Sequence, residues 1–201
     1  CIRNPAKLVR VDHRILSHEQ KEPRKKYAYT KGDVDRFVVL LRESMLKCKL
    51  NTMGQCRRER LRFWQAAITI SYGTGLRLGD VAQLEWASFS HPDEIIVHTA
   101  KTNKRVSPEL RAEVDEVVRS LPGNDERHLF PHYATMARDP SRRAFLSVDF
   151  KKLCLEFKQP YYGFHSFRRG HATDRSKTET LEAIAKDLGH SSTKTTEAYV
   201  L

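Results

Sequence analysis

The sequence predicts an α+β domain that is mostly helical and carries one small antiparallel sheet. Three observations lead there. Apolar residues recur at spacings of three and four through most of the chain after residue 30. A single short stretch, residues 94–100, is rich in β-branched residues. Lys101-Thr102-Asn103-Lys104 then forms a polar turn that folds this strand back into Arg105 and Val106. The 201 residues suffice for one domain with a real core. A formal charge of +11 favours a polyanion, with nucleic acid first among the candidates.

No run approaches the roughly 18 apolar residues of a membrane span, and the start is not that of a signal peptide. A soluble, intracellular protein with no membrane partner is therefore expected. Cys1, Cys48, Cys56 and Cys154 are scattered, without zinc-like spacing, and read as reduced thiols mostly in the core.

Taken in order, residues 1–28 are basic and aperiodic, and Arg24, Lys25 and Lys26 close a linker or arm suited to a phosphate backbone or to a solvated tether. Thr30 and Asp33 form a capping box for a helix bearing Val34, Phe37, Val38, Leu41 and Met45. Residues 47–57 read as a loop around Asn51 and Gly54, and Leu61 to Tyr72 as a buried helix. Gly73 and Gly75 end it, and Leu78, Val81 and Ala82 supply the apolar face of the next helix. Arg77 stands at that helix's start, where Asp80 can orient it; taken alone, the two also read as a structural ion pair.

After the hairpin, Ser107 and Pro108 are expected to cap a helix through Leu110, Val114, Val117 and Val118. Residues 132–145 read as an irregular basic loop, and Ser147 as the cap of a helix with Phe150, Leu153, Cys154 and Phe157. From Ser166 to about Thr173 the chain is helical again, so His165 and Arg168 leave its first turn, where free amides also favour an anion. Helices over Leu181–Leu188, closed by Gly189, and over Ser192–Val200 complete the chain. Trp64 and Trp86 are expected in the core, and His171 as a packing or hydrogen-bonded histidine.

In their order and spacing, Thr74-Gly75-Leu76-Arg77 with Asp80, a hairpin lysine, His165-Ser166-Phe167-Arg168, Leu188-Gly189-His190 and Tyr199 nine residues later resemble the tyrosine recombinases, the phage integrases and Xer-type resolvases. The resemblance covers roughly residues 29–201. It implies the recombinase catalytic-domain fold, of the DNA breaking-rejoining enzyme type. It assigns Arg77, Lys101, His165, Arg168, His190 and the nucleophile Tyr199 to catalysis, with Asp80 in support and Lys104 as a less favoured substitute for Lys101. Arg169, with Arg77, Lys101, Lys104 and Arg168, would contact double-stranded DNA.

The residue types suit that chemistry. Displacement at phosphorus accumulates charge on the non-bridging oxygens, which the forks of Arg77 and Arg168 can neutralise. A phenol ionises unaided only near pH ~10, so Tyr199 needs an acceptor, and His165 is the candidate. His190 would donate to the phosphate. In the family a hairpin lysine protonates the leaving 5′ oxygen, which gives Lys101 that role. The phosphotyrosine conserves bond energy, so no metal, ATP or other cofactor is expected.

The resemblance also implies a homotetramer on paired DNA sites, with accessory bending or directionality proteins, in a prokaryotic or phage-infected cytoplasm or a nucleus. The alternatives are a type IB topoisomerase, against which His165 weighs, and a silent DNA-binding protein, which would have no use for Tyr199. A core-binding domain before residues 1–28 and a regulatory segment after Tyr199 are expected outside this sequence.

Overall fold

The computed structural model describes residues 27–49, 51–100, 102–123 and 126–200. The helices are α1 (Lys31–Leu46), α2 (Thr52–Thr74), α3 (Leu78–Ala82), α4 (Ala112–Arg119), α5 (Pro131–Arg138), α6 (Arg143–Glu156), α7 (His165–Arg175), α8 (Leu181–Leu188) and α9 (Thr193–Glu197). The strands β1 (Val97–His98) and β2 (Arg105–Val106) pair antiparallel, with Val97 opposite Val106 and His98 opposite Arg105. Arg24, Lys25, Lys26, Cys1 and Lys101 lie outside the described residues.

α2 is the axis of the domain. Leu61, Phe63, Trp64, Ala66, Ala67, Ile68 and Ile70 are fully buried on it, and α1, α3, α4 and α7 pack around it. A helix apolar on nearly every side is stable only when neighbours cover it. α1 begins where its capping box predicts: Asp33 N donates to Thr30 Oγ1 at 3.2 Å, and Thr30 N donates back to Asp33 Oδ2 at 3.0 Å.

Five expectations about element boundaries are corrected. α2 begins at Thr52, inside the predicted 47–57 loop, because Asn51 caps it through Gly54 N at 2.8 Å. The helix after the hairpin starts at Ala112 rather than Pro108. Residues 108–110 continue the extended pairing instead: Ile95 N donates to the Pro108 carbonyl at 2.9 Å and Leu110 N to that of Asp93 at 2.8 Å. The predicted basic loop at 132–145 is largely helical. Pro131 takes the first turn of α5, Ala134 and Ala137 bury its narrow inner face, and α6 starts at Arg143 rather than Ser147. The last helix ends at Glu197, short of the predicted Val200, and Tyr199 occupies the turn beyond it.

Two burial expectations also change. Trp86 is only partly buried, on a 3₁₀ turn over Trp86–Phe89. Of the described cysteines only Cys154 is buried; Cys48 is intermediate and Cys56 exposed. Burial raises the Cys154 thiol to about 11.

Candidate active site

The site forms where three chain reversals converge on the end of α2. Gly75 ends α2 in the left-handed region, at φ +72°, and its amide donates to the Ser71 carbonyl at 2.8 Å. This reversal sets Arg77 at the N-cap of α3. Asp80, buried one turn later, has Oδ2 at 3.8 Å from Arg77 Nη1. Its Oδ1 accepts from Ala100 N at 2.8 Å. The carboxylate therefore ties the first arginine to the hairpin, one residue before Lys101. Across the turn, Lys104 is exposed, and its carbonyl accepts from Thr99 N at 2.9 Å.

The second reversal, at Gly163 with φ +79°, leads into α7 and brings His165 and Arg168 to the same place. The amides of Ser166 and Phe167 donate to the carbonyls of Gly163 and Phe164 at 3.1 and 3.2 Å. These two first-turn amides are thus satisfied within the chain, where free amides were expected to favour an anion. Arg168 is 2% exposed. Its Nη1 donates to the Gly75 carbonyl and Nη2 to the Leu188 carbonyl, each at 2.7 Å, and Nη2 also lies 2.8 Å from His190 Nε2. Its Nε is buried without a hydrogen-bond partner among the described residues, leaving a charged donor for an anion.

The third reversal is Gly189, at φ +66°, which closes α8 and turns His190 inward. Arg175 braces this region by pairing with Glu179 and Asp187, so α7 grips α8. Tyr199 and Val200 pack on Ala172, Ile184 and Leu188. That contact carries the Tyr199 hydroxyl to 2.5 Å from His165 Nε2 and the ring to 5.6 Å from the Arg168 guanidinium carbon. The Tyr199 ring centroid lies 5.1 Å from that of His190.

The electrostatics keep both histidines neutral near pH 7. Burial, then repulsion from Arg168, Arg169 and Arg77, lowers His165 to about 4 although one side of the residue stays exposed. Burial, then Arg168 and Arg77, lowers His190 to about 4 as well. Arg168 is lowered to about 10, chiefly by burial and by Arg77, and stays a cation. A neutral imidazole beside a phenol, with two cations next to it, can accept the phenolic proton and stabilise negative charge at one point.

Of the residues expected at the site, Arg168, His190, His165 and Tyr199 come together, and Arg77 and Asp80 stand next to them. Arg169 is half-buried close enough to act on His165. His171 is the expected buried histidine, its Nδ1 2.8 Å from the Tyr72 carbonyl. Sequence reasoning missed Thr196, which is fully buried with Oγ1 2.9 Å from His190 Nδ1. Its only signal was its place one helical turn before Tyr199. The carbonyls of Gly75 and Leu188 were missed too, since main-chain acceptors carry no residue signature.

A sequence model of the phage integrase family matches residues 41–201. Among curated proteins none matches the chain. Solved structures with a similar fold include XerH site-specific recombinase bound to palindromic difH substrate, at 20% identity and TM-score 0.60, covering 86% of this chain and 49% of that one. The catalytic domain of bacteriophage HP1 integrase is 17% identical, at TM-score 0.56, with 87% of each chain covered. A lambda integrase tetramer bound to a Holliday junction is 14% identical, at TM-score 0.61, covering 90% of this chain and 50% of that one. The chain thus spans about half the length of XerH.

Proposed function

Because the chain belongs to the phage integrase family, the tyrosine recombinases, we propose that it cuts and rejoins DNA strands at specific sites through a 3′ phosphotyrosine at Tyr199. One observation carries this reading: in a single chain, the Tyr199 hydroxyl meets the neutral His165 imidazole at 2.5 Å while its ring lies beside the buried Arg168.

Tyr199 Oη attacks phosphorus as its proton passes to His165 Nε2. Arg77 and Arg168 hold the non-bridging oxygens as charge grows on them. The bond from phosphorus to the 5′ oxygen breaks, and Lys101 supplies the proton to that oxygen. Attack by the 5′ hydroxyl of a second strand runs the same steps backwards and releases Tyr199. Asp80 serves the step indirectly, by holding the lysine hairpin against Arg77 through Ala100 N.

The partner is double-stranded DNA, contacted by Arg77, Lys101, Lys104, Arg168, Arg169 and the basic segment containing Arg24, Lys25 and Lys26. The working assembly is a homotetramer on paired sites, as in the lambda integrase tetramer on a Holliday junction, with accessory DNA-bending or directionality proteins. Among the described residues no helix is long and apolar enough to cross a membrane, and the enzyme acts inside the cell, on DNA.

A nicked suicide duplex carrying an attachment site tests the reading. The full-length protein should form a denaturant-resistant adduct in EDTA, and Tyr199→Phe should form none. An adduct that survives Tyr199→Phe, or none with the wild type, overturns it.

A further inference from the structure

The proton positions on His190 follow from its two neighbours. Arg168 Nη2 can only donate, so His190 Nε2, 2.8 Å away, accepts. The neutral ring therefore carries its proton on Nδ1 and donates it to Thr196 Oγ1 at 2.9 Å. The lowering of His190 to about 4 agrees with a neutral ring. Thr196 has no exposed surface. Its carbonyl accepts from Tyr199 N at 2.9 Å and Val200 N at 3.3 Å. One residue thus ties the His190 ring to the turn that carries the proposed nucleophile.

In this tautomer His190 has no proton to offer a phosphate from Nε2. Donation requires the proton on Nε2, which leaves Nδ1 a bare acceptor in a buried setting. A hydroxyl serves both states, because it accepts from Nδ1–H and, after rotation about its C–O bond, donates to bare Nδ1. An apolar side chain in its place would satisfy neither.

We propose that Thr196 is a positioning residue for His190: its hydroxyl satisfies Nδ1 in both neutral tautomers, and so lets Nε2 change from accepting Arg168 to donating to a phosphate oxygen. In the change Nδ1 releases a proton to solvent and Nε2 takes one up, so the ring gains no charge. Because Thr196 lies one turn before Tyr199, this support exists only while the tyrosine segment is docked. Readiness of the histidine and presence of the nucleophile become one event. The inference rests on the functional reading above, which gives His190 a phosphate to meet.

The test compares wild type, Thr196→Ser and Thr196→Val. Nitrogen NMR of the labelled imidazoles, in protein without DNA at pH 7, distinguishes protonated from bare ring nitrogens. Wild type and both variants should show His190 with protonated Nδ1 and bare Nε2, because Arg168 sets the resting tautomer, and in Thr196→Val alone the Nδ1 signal should shift with the loss of its acceptor. On the nicked suicide duplex, Thr196→Val should form the adduct about tenfold more slowly at unchanged DNA affinity, the size of one lost hydrogen bond, with Thr196→Ser within about threefold of wild type. Wild-type protein with Nε2 protonated, an unchanged Thr196→Val spectrum, or equal loss of rate in both variants overturns the proposal. A wild type that keeps the Nδ1 tautomer yet forms no adduct strikes the functional reading, and with it this use of Thr196. An active wild type with Thr196→Val unaltered in both readouts strikes the Thr196 inference alone.

Discussion

Replacing Gly75 with alanine should destabilise the domain and disturb its second arginine together. At φ +72° an L side chain is strained by roughly 1–2 kcal/mol. The added Cβ would lie 2.4 Å from Leu188 Cδ2 and 2.8 Å from His171 Cδ2. Both neighbours are buried, so relief requires shifting α7 against α8, and overpacking of this kind costs about 1–3 kcal/mol. The sum, roughly 2–5 kcal/mol, is a large part of a typical domain stability of about 5–15 kcal/mol. Urea denaturation followed by far-ultraviolet circular dichroism measures it, with Gly79→Ala as the internal comparison. A Cβ at Gly79 meets nothing within 4 Å, and the position is helical, so that variant should be neutral or gain up to about 1 kcal/mol. A Gly75→Ala variant within about 0.5 kcal/mol of wild type, below the usual range for a named core defect, would refute the reasoning.

Asp80→Ala removes the acceptor of Ala100 N and the buried carboxylate beside Arg77. It should slow adduct formation on the suicide duplex by about tenfold or more and speed hydrogen exchange at Ala100; unchanged exchange would contradict the tether. For His165, lowering to about 4 keeps the imidazole an unprotonated base well into mild acid. The acid limb of adduct formation should therefore fall near pH 4–5, and a limb centred at ~6.5 would contradict that lowering. Burial lowers His171 to about 3. Between the unfolded value near ~6.5 and this folded value the unfolded chain holds the extra proton, so stability is lost as pH falls through that window, by up to about 1.4 kcal/mol per pH unit. Urea titrations should show this slope flattened in His171→Gln, and an equal slope in the variant would count against it.

Much of this arrangement was legible in the sequence because its chemistry is carried by side chains with narrow uses. Arg168, His190 and Tyr199 could be placed together from the order and spacing of motifs that resemble a known family, and Gly189 and the Ser192 cap mark the boundaries before His190 and Tyr199. The α1 capping box and the hairpin were legible for the same reason. The α5 helix was not, because Ala134 and Ala137 bury a face too small to register as an apolar stripe among Arg138, Arg142 and Arg143. The start of α4 was misplaced because Ser107-Pro108 is a sound local cap signal that loses to sheet pairing between distant residues. Thr196 was passed over because a threonine in a polar helix ordinarily faces water, and only the tertiary approach of His190 gives it a partner.

The grip on Arg168 has a consequence for how sequence change affects this pocket. Two of the groups that fix its guanidinium are peptide carbonyls, of Gly75 and Leu188, contributed by chain segments more than a hundred residues apart in sequence. No side-chain replacement deletes a peptide carbonyl. The cation's aim is therefore stored largely in the route of the backbone, and apart from His190, whose ring also meets Nη2, substitutions around it act by displacing that route. The surrounding residues can drift widely while the direction of the charge is inherited with the fold.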